Sequence, residues 1–426
     1  MESNIDEKDS NYMYEIIQTI IDDCGPRMPC SPQEAQSAEI IKKELEQVCD
    51  EVDIEPFSCN PRAFLGYLRV DIILVFLSFI SFFLIPLNLF NYWGYLMSFL
   101  SFSFNLIAFL ILWNEFFNYR EFIDPLFKSR NSQNVIGKIY PRGDTKKILI
   151  FSGHHDSALQ FNLLTHLKIG YPIVILLGLA VIILWLLTSI IVILLVLINL
   201  FVFELFFFYA LILFLISIPA FIGLFFFVSS GEKANKVPGA VDNLSAVAIV
   251  LAIGKILNKN KEIVPNNTEI RLISFGCEEA GLRGAFRYVE KHLDELKRLD
   301  AECINMDAIQ SKDNISIIDF EPSTRTKHSE NVVEKIFNAA KSSQIEVKAS
   351  ALGGSSTFEK IFGQVTGGTD ATAFSKAGIK AANISSMDLN KMLKFYHQPT
   401  DTLDKIEKGS LERVLKICLA YIKNGT

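Results

Sequence analysis

Lys147-Ile148-Leu149-Ile150-Phe151-Ser152-Gly153-His154-His155-Asp156-Ser157 is the stretch on which the reading of the fold turns. Its apolar, largely β-branched start predicts a buried strand, and the polar residues that follow mark the strand's end. Side chains of an extended chain alternate with period two, so His154 and Asp156 leave the same face. An imidazole whose second nitrogen is held by a carboxylate is the common form of a metal ligand. His-x-Asp by itself is a weak signal, and its weight comes from what lies downstream.

Outward from this strand, residues 1–60 read as two helices and a strand. Tyr14, Ile17, Ile20 and Ile21 have helical spacing that stops at Gly25-Pro26. Ser31, Pro32 and Glu34 form an N-terminal signal, with a cap, a proline at the first helical position and a glutamate at the third. Glu51–Phe57 alternates as a half-exposed strand should. Asn134–Tyr140 and Lys147–Phe151 are expected to form a strand pair joined by a turn at Pro141-Arg142-Gly143-Asp144. Beyond residue 231, helix and strand signals alternate down to a helix from Leu411 to Ile422. This predicts an α/β fold whose mostly parallel central sheet has helices on both faces.

Four apolar stretches interrupt the pattern, at about 64–87, 93–113, 169–198 and 204–228, each near the ~20 residues that cross a bilayer. Buried helices of a soluble protein keep a polar stripe, and these have almost none. They are expected to form two transmembrane hairpins, residues 64–117 and 166–230. The soluble pieces 1–63, 118–165 and 231–426 then assemble into one domain. Arg69 and Asp71, near the start of the first span, are placed where they can reach the interface. The hairpin tips, Asn88–Asn91 and Asn199–Glu204, carry no Lys or Arg, whereas the flanks carry Arg62, Arg120, Lys128, Arg130, Lys168, Lys233 and Lys236. The positive-inside bias puts the globular domain of this multi-pass protein in the cytoplasm. The polar, acidic N-terminus predicts no cleavable signal.

A mean hydropathy of +0.30 and 35 phenylalanines in 426 residues are too apolar for one soluble domain. The net charge of −6 and the lack of basic, aromatic-laced stripes exclude a nucleic-acid partner. Seven cysteines without CxxC pairs predict neither a disulfide framework nor a thiolate metal site, only reduced buried thiols, Cys277 among them.

Four further segments bear on chemistry. Asp242, in Pro238-Gly239-Ala240-Val241-Asp242-Asn243, opens a small-residue helix and reads as well as an N-cap. Glu278 and Glu279 end an apolar strand, where adjacent carboxylates are costly unless a cation or proton resolves their repulsion; the alternative is a solvated pair. Asp307 ends another apolar strand and His397 lies in a turn before the last helix; each alone reads as an ordinary surface group. Together they supply two histidines, three acidic ligands and a spare glutamate, mostly at strand ends, where open α/β sheets gather their sites. Such nitrogen and oxygen donors suit a pair of Zn²⁺ ions.

Gly-His-His-Asp-Ser (153–157), Pro-Gly-Ala-Val-Asp-Asn (238–243), Glu-Glu-Ala-Gly-Leu-Arg-Gly-Ala (278–285) and Tyr-His-Gln-Pro-Thr-Asp-Thr (396–402) resemble the co-catalytic two-zinc exopeptidases, in that family's order. The superfamily includes zinc aminopeptidases, glutamate carboxypeptidase and glutaminyl cyclase. Cys24-Gly25-Pro26-Arg27 and Ser31–Glu34 resemble its N-terminal segment. The resemblance implies that Asp242 bridges two zinc ions, one completed by His154 and Asp307, the other by Glu279 and His397. It makes Glu278 the general base and Asp156 the group that orients His154. Tyr396 is implied as an oxyanion donor, and Asp370, after Thr369, as a substrate-pocket residue; a helix N-cap is the equal alternative for Asp370.

One departure is large. The spacing of 242 − 154 = 88 residues exceeds the short loop of soluble relatives, because the second hairpin lies inside it. With Asp156 about a dozen residues before the third span, the site lies within roughly 40–50 Å of the bilayer surface. The expected protein is a membrane-bound exopeptidase, most readily an aminopeptidase, acting on peptides that emerge from or lie on the lipid bilayer. A homo-oligomer is compatible with this reading. Two readings compete with it: a catalytically silent binding protein of the same fold, and a single-zinc, glutaminyl cyclase-like acyl transferase. Filled ligand and base positions speak against the first, and metal stoichiometry distinguishes the second.

Overall fold

The computed structural model describes residues 5–87, 92–168, 170–351, 363 and 367–424; the expected hairpin tip at Asn88–Asn91 lies outside them. The chain forms two compact units. One comprises residues 1–61, 128–160 and 230–426, and the other residues 62–127 and 161–229.

Among the described residues, the first unit is built on a sheet of nine strands: β1 (Glu51–Cys59), β2 (Arg130–Ile139), β3 (Lys147–His154), β4 (Thr268–Phe275), β5 (Glu302–Ile309), β6 (Ser316–Glu321), β7 (Thr326–Lys327), β8 (Lys348–Ala351) and β9 (Lys380–Ser386). Their order is β1-β2-β4-β3-β5-β9-β6-β7, with β8 paired to β6. The four middle strands, β4-β3-β5-β9, run parallel. Toward the edges the pairings β1–β2, β2–β4, β6–β9 and β6–β7 are antiparallel. The sheet is therefore mixed, and the mostly parallel expectation holds only for its middle.

The expected β2–β3 pair does not form. β4 lies between them, antiparallel to β2 and parallel to β3. Every residue of β4 is buried; a fully buried strand gains most between two neighbours, and a local turn signal does not reveal such an insertion.

Both faces of β3 are covered. Leu149 and Phe151 pack with the helices Glu7–Cys24, Pro32–Glu46, Ser245–Lys259 and Ser410–Asn424. Ile148 and Ile150 pack against Ala285, Tyr288 and Phe374, from Arg283–Arg298 and Ala371–Lys376. This is the period-two alternation of a strand buried on both sides. Helix Ser245–Lys259 approaches β3 closely, since a Cβ on Gly153 would lie 2.6 Å from that of Ala246. The small-residue run after Asp242 permits this contact.

Among the described residues, five helical segments are long and apolar enough to cross a membrane: Ala63–Leu87, Trp93–Phe117, Gly170–Leu197, Phe203–Phe225 and Ala240–Lys259. The last is 94% buried in its apolar window and is a core helix of the first unit; the other four, 28–39% buried, make up the second. Their polarity runs inside out. Phe76, Leu77, Phe99, Leu187, Leu194, Phe208 and Ile212 are exposed. Ser78 and Trp185 share a buried hydrogen bond of 2.8 Å, and Asn105 donates to the Ile182 carbonyl at 3.1 Å. Asp71, expected to reach an interface, is turned inward and only 2% exposed.

Candidate metal centre

Parallel strands present their C-terminal ends at one edge of the sheet, which is where the acidic and imidazole groups collect. β3 ends at His154, and β4 leads into the turn holding Glu278 and Glu279. β5 carries Asp307, beside a register shift at Met306–Ile309. Two turns before helices complete the group: Ala240–Leu244 with Asp242, and the segment around His397.

Asp242 stands between the two histidines. Its Oδ1 lies 3.2 Å from His154 Nε2 and its Oδ2 lies 3.1 Å from His397 Nε2. Glu278 Oε2 is 3.7 Å from His154 Nε2, and Glu279 Oε1 is 3.4 Å from His397 Nε2. Ligand atoms of His154, Asp242 and Glu279 fall within 4.8 Å of one another, as do those of His154, Glu278 and Asp307. The five residues expected as ligands and the expected base are thus brought together.

Asp156 organises this group from behind. Its carboxylate accepts from the backbone N–H groups of Glu278 (3.1 Å) and Glu279 (3.0 Å) and lies 3.3 Å from His154 Nδ1. It thereby ties the backbone of both glutamates to the end of β3 and faces the inner nitrogen of His154. The neighbouring histidine differs: His155 pairs through Nδ1 with the Ser274 hydroxyl at 2.9 Å, and burial pushes its pKa down to about 4, leaving the ring neutral.

The electrostatics call for a cation. Burial, reinforced by mutual repulsion, holds Glu278, Glu279 and Asp307 well above the usual carboxylate range. Burial works the same way on Asp242, but the flanking imidazoles overcome it and hold that carboxyl below the range. His154 Nε2 and Glu279 Oε1 are buried without a hydrogen-bond partner. Buried donors and acceptors of this kind are costly unless an ion satisfies them. An imidazole–carboxylate set without thiolate fits zinc.

Several residues that shape the centre were not assigned from sequence. Asp401 accepts from the N–H groups of Val241 (2.8 Å) and Asp242 (3.1 Å), tying the His397 segment to the Asp242 turn. Burial pushes its pKa up to about 8. Arg27 is wholly buried and donates to the carbonyls of His155 (2.9 Å), Gly25 (2.9 Å) and Gly239 (3.3 Å). Gly239 has φ +64°, and a Cβ there would meet the Asp242 carbonyl at 2.6 Å. Asn243, joined to Asp242 by a cis peptide, donates to the Met306 carbonyl at 3.0 Å and so stitches the turn to β5. All four lie inside the quoted motifs (24–27, 238–243 and 396–402), but those motifs gave them no individual role.

Asp370 precedes helix Ala371–Lys376 but makes no capping hydrogen bond, so the capping alternative is not realised. Both its oxygens are buried without a hydrogen-bond partner, and burial pushes its pKa up to about 7. It is close enough to interact electrostatically with His154 and Asp156. Thr369 beside it is anchored to the buried Glu321, which accepts from its N–H (3.0 Å) and hydroxyl (2.6 Å). Tyr396 is half-buried, with its ring stacked on His397 at 3.8 Å.

A mixed α/β sheet with an imidazole–carboxylate cluster at its parallel strand ends has the architecture of the zinc-exopeptidase fold. Residues 228–422 match the sequence model of Peptidase family M28. Aminopeptidase YwaD of Bacillus subtilis (strain 168) is 30% identical over 195 residues, which are 43% of this chain and 37% of that protein. The chain thus spans little more than a third of the relative's length. The structure of a zinc aminopeptidase from Bacillus subtilis covers 98% of this chain and 95% of its own, with TM-score 0.54 and 15% identity. An Acidobacteriales bacterium glutaminyl cyclase covers 99% and 96%, with TM-score 0.54 and 13% identity. These likenesses establish the fold.

Proposed function

We propose that this protein is a membrane-bound metallo-exopeptidase, an aminopeptidase that hydrolyses the terminal bond of peptides at a two-zinc centre. The observation that carries the reading is Asp242, whose two carboxylate oxygens each face a different histidine at 3.1–3.2 Å. His154 and Asp307 would hold one ion, Glu279 and His397 the other, with Asp242 shared. A bound pair of zinc ions supplies an acidified water and polarises the scissile carbonyl.

The chain's own residues do the rest. Glu278, with a carboxyl made more basic by burial and by Glu279, Asp370 and Asp307, accepts the proton of the attacking water. It then returns that proton to the leaving amine. Asp156 keeps His154 and the glutamate pair in register. Tyr396, stacked on His397, donates to the oxyanion. Asp370 contributes a buried negative group to the substrate pocket.

The second unit supports anchoring in a bilayer: its outer surface is apolar and polar side chains such as Ser78, Asn105 and Asp71 are turned inward, the reverse of a soluble bundle. The excess of Lys and Arg in the flanks supports a cytoplasmic side for the peptidase unit. Its substrates would be peptides at the membrane surface.

The test is metal analysis of the purified chain in nanodiscs, with turnover of free- and blocked-terminus peptides, both soluble and lipid-tethered. Two zinc ions per chain and cleavage that requires a free N-terminus are expected. One zinc with cyclisation of N-terminal glutamine would identify an acyl transferase instead. Bound peptide without turnover would identify a silent receptor. Equal turnover of tethered and free peptides would remove the membrane-surface role.

A further inference from the structure

Outside the imidazole–carboxylate centre, the first unit holds a second cluster of metal-competent side chains. Cys30, Cys59 and Cys277 are distant in sequence, but their sulfurs form a triangle with sides of 3.5 Å (Cys30–Cys59), 3.2 Å (Cys30–Cys277) and 3.6 Å (Cys59–Cys277). No disulfide joins them. The expectation that the cysteines form no thiolate site rested on spacing along the chain, and folding brings these three together.

We infer that Cys30, Cys59 and Cys277 form a separate sulfur-only metal site that binds one zinc ion. The sides of the triangle differ by only 0.4 Å, so no pair is singled out as a disulfide would require. At least one side is inside the ~3.5–4.0 Å of ordinary nonbonded contact. Three sulfurs facing one point suit a shared soft cation. With Zn–S bonds of ~2.3 Å, such an ion sits about 1 Å out of the plane of the sulfurs and keeps a fourth position for water. Binding releases the thiol protons to solvent. Cys30, 8% exposed against 1% for Cys59 and 0% for Cys277, is the member through which an ion enters.

The surroundings hold the triangle in place. Glu34 is fully buried. Its carboxylate accepts from Cys30 N–H (2.7 Å), Cys277 N–H (2.9 Å) and the Ser132 hydroxyl (2.9 Å). At the third position of its helix it would ordinarily bond back to the cap; here it straps two cysteine backbones together. Both of those residues have positive φ, +58° for Cys30 and +54° for Cys277, so the turns that aim the sulfurs are specifically set. Cys277 directly precedes Glu278 and Glu279, so an ion here would brace the turn that positions the proposed base. The inference does not rest on the catalytic reading, because no residue is shared between the two sites.

The experiment is zinc-edge X-ray absorption on the full chain, loaded with zinc under reducing conditions, together with metal analysis. The imidazole–carboxylate centre contains no thiolate, so any sulfur scatterer at ~2.3 Å reports the cysteine triangle. Sulfur scattering is expected in the wild type. In Cys59→Ser it should disappear with a loss of one zinc per chain. Cys418→Ser, at a buried thiol elsewhere, should leave both unchanged. Zinc-loaded wild type with only nitrogen and oxygen scatterers would overturn the inference, as would a Cys30–Cys277 disulfide in the purified protein by peptide mapping. The wild-type spectrum decides the matter even if Cys59→Ser fails to fold.

Discussion

Replacing Glu278 by Gln separates base from ligand more cleanly than any other change at the centre. The side chain keeps its shape. Its backbone N–H stays on the Asp156 carboxylate at 3.1 Å, so neither the turn nor Glu279 should move. What is lost is the ability to accept a proton. General base catalysis is worth about 10²–10⁴-fold, so kcat should fall by that factor, equivalent to ~2.7–5.5 kcal/mol of barrier. KM should change little, since the substitution acts on the reacting proton rather than on substrate binding. Metal content should hold, because none of the five proposed ligands is altered. The assay pairs steady-state turnover of a free-terminus peptide with metal analysis of the same preparation. Loss of an ion along with activity would make Glu278 a ligand, a role its proximity to His154 and Asp307 allows. A decrease smaller than tenfold with metals intact would remove it from the mechanism.

Other changes test the frame around the centre. Asp401→Asn presents an amide NH₂ to one of two buried backbone N–H groups, and should lower metal affinity by about 10–100-fold, read by competition with a chelator. Gly153→Ala drives a Cβ to 2.6 Å from that of Ala246 and should cost about 1–3 kcal/mol by overpacking, seen as a lower Tm. Glu302, buried among Lys335 (2.7 Å), Lys147 (2.9 Å) and Tyr421 (2.8 Å), is opposed by burial, but those partners lower its pKa overall. Its folded pKa lies below the unfolded value of about 4.3, so its stabilisation is complete above that pH and fades as pH falls through the folded value. Denaturant titrations of the zinc-free protein should therefore show a stability loss on the acid side that Glu302→Gln flattens, at a cost near neutrality of ~1–3 kcal/mol.

Much of this protein is written in short-range pattern. The runs ending in His154 and Glu278–Glu279 were legible as strands because burial on both faces demands unbroken apolar sequence, and β3 and β4 are those strands. The four exposed apolar helices were legible because a polar stripe is missing over their whole length. Ligand candidates could be named because carboxylates and imidazoles at apolar strand ends are costly without a cation.

What sequence could not decide was which distant segments meet. Strand order depends on the total burial gained by the whole sheet, so the turn at 141–144 suggested a neighbour for β3 that β4 displaces. Asp370 read equally as a pocket residue or a helix cap, and the geometry leaves its oxygens buried without a hydrogen bond. Glu34 had the spacing of a capping box, but its carboxylate turns to Cys30, Cys277 and Ser132. The cysteine triangle spans residues 30 to 277 and has no signature along the chain. Local pattern records what each segment must bury, whereas the partners that satisfy its polar groups emerge only when the packed chain brings them within hydrogen-bonding distance.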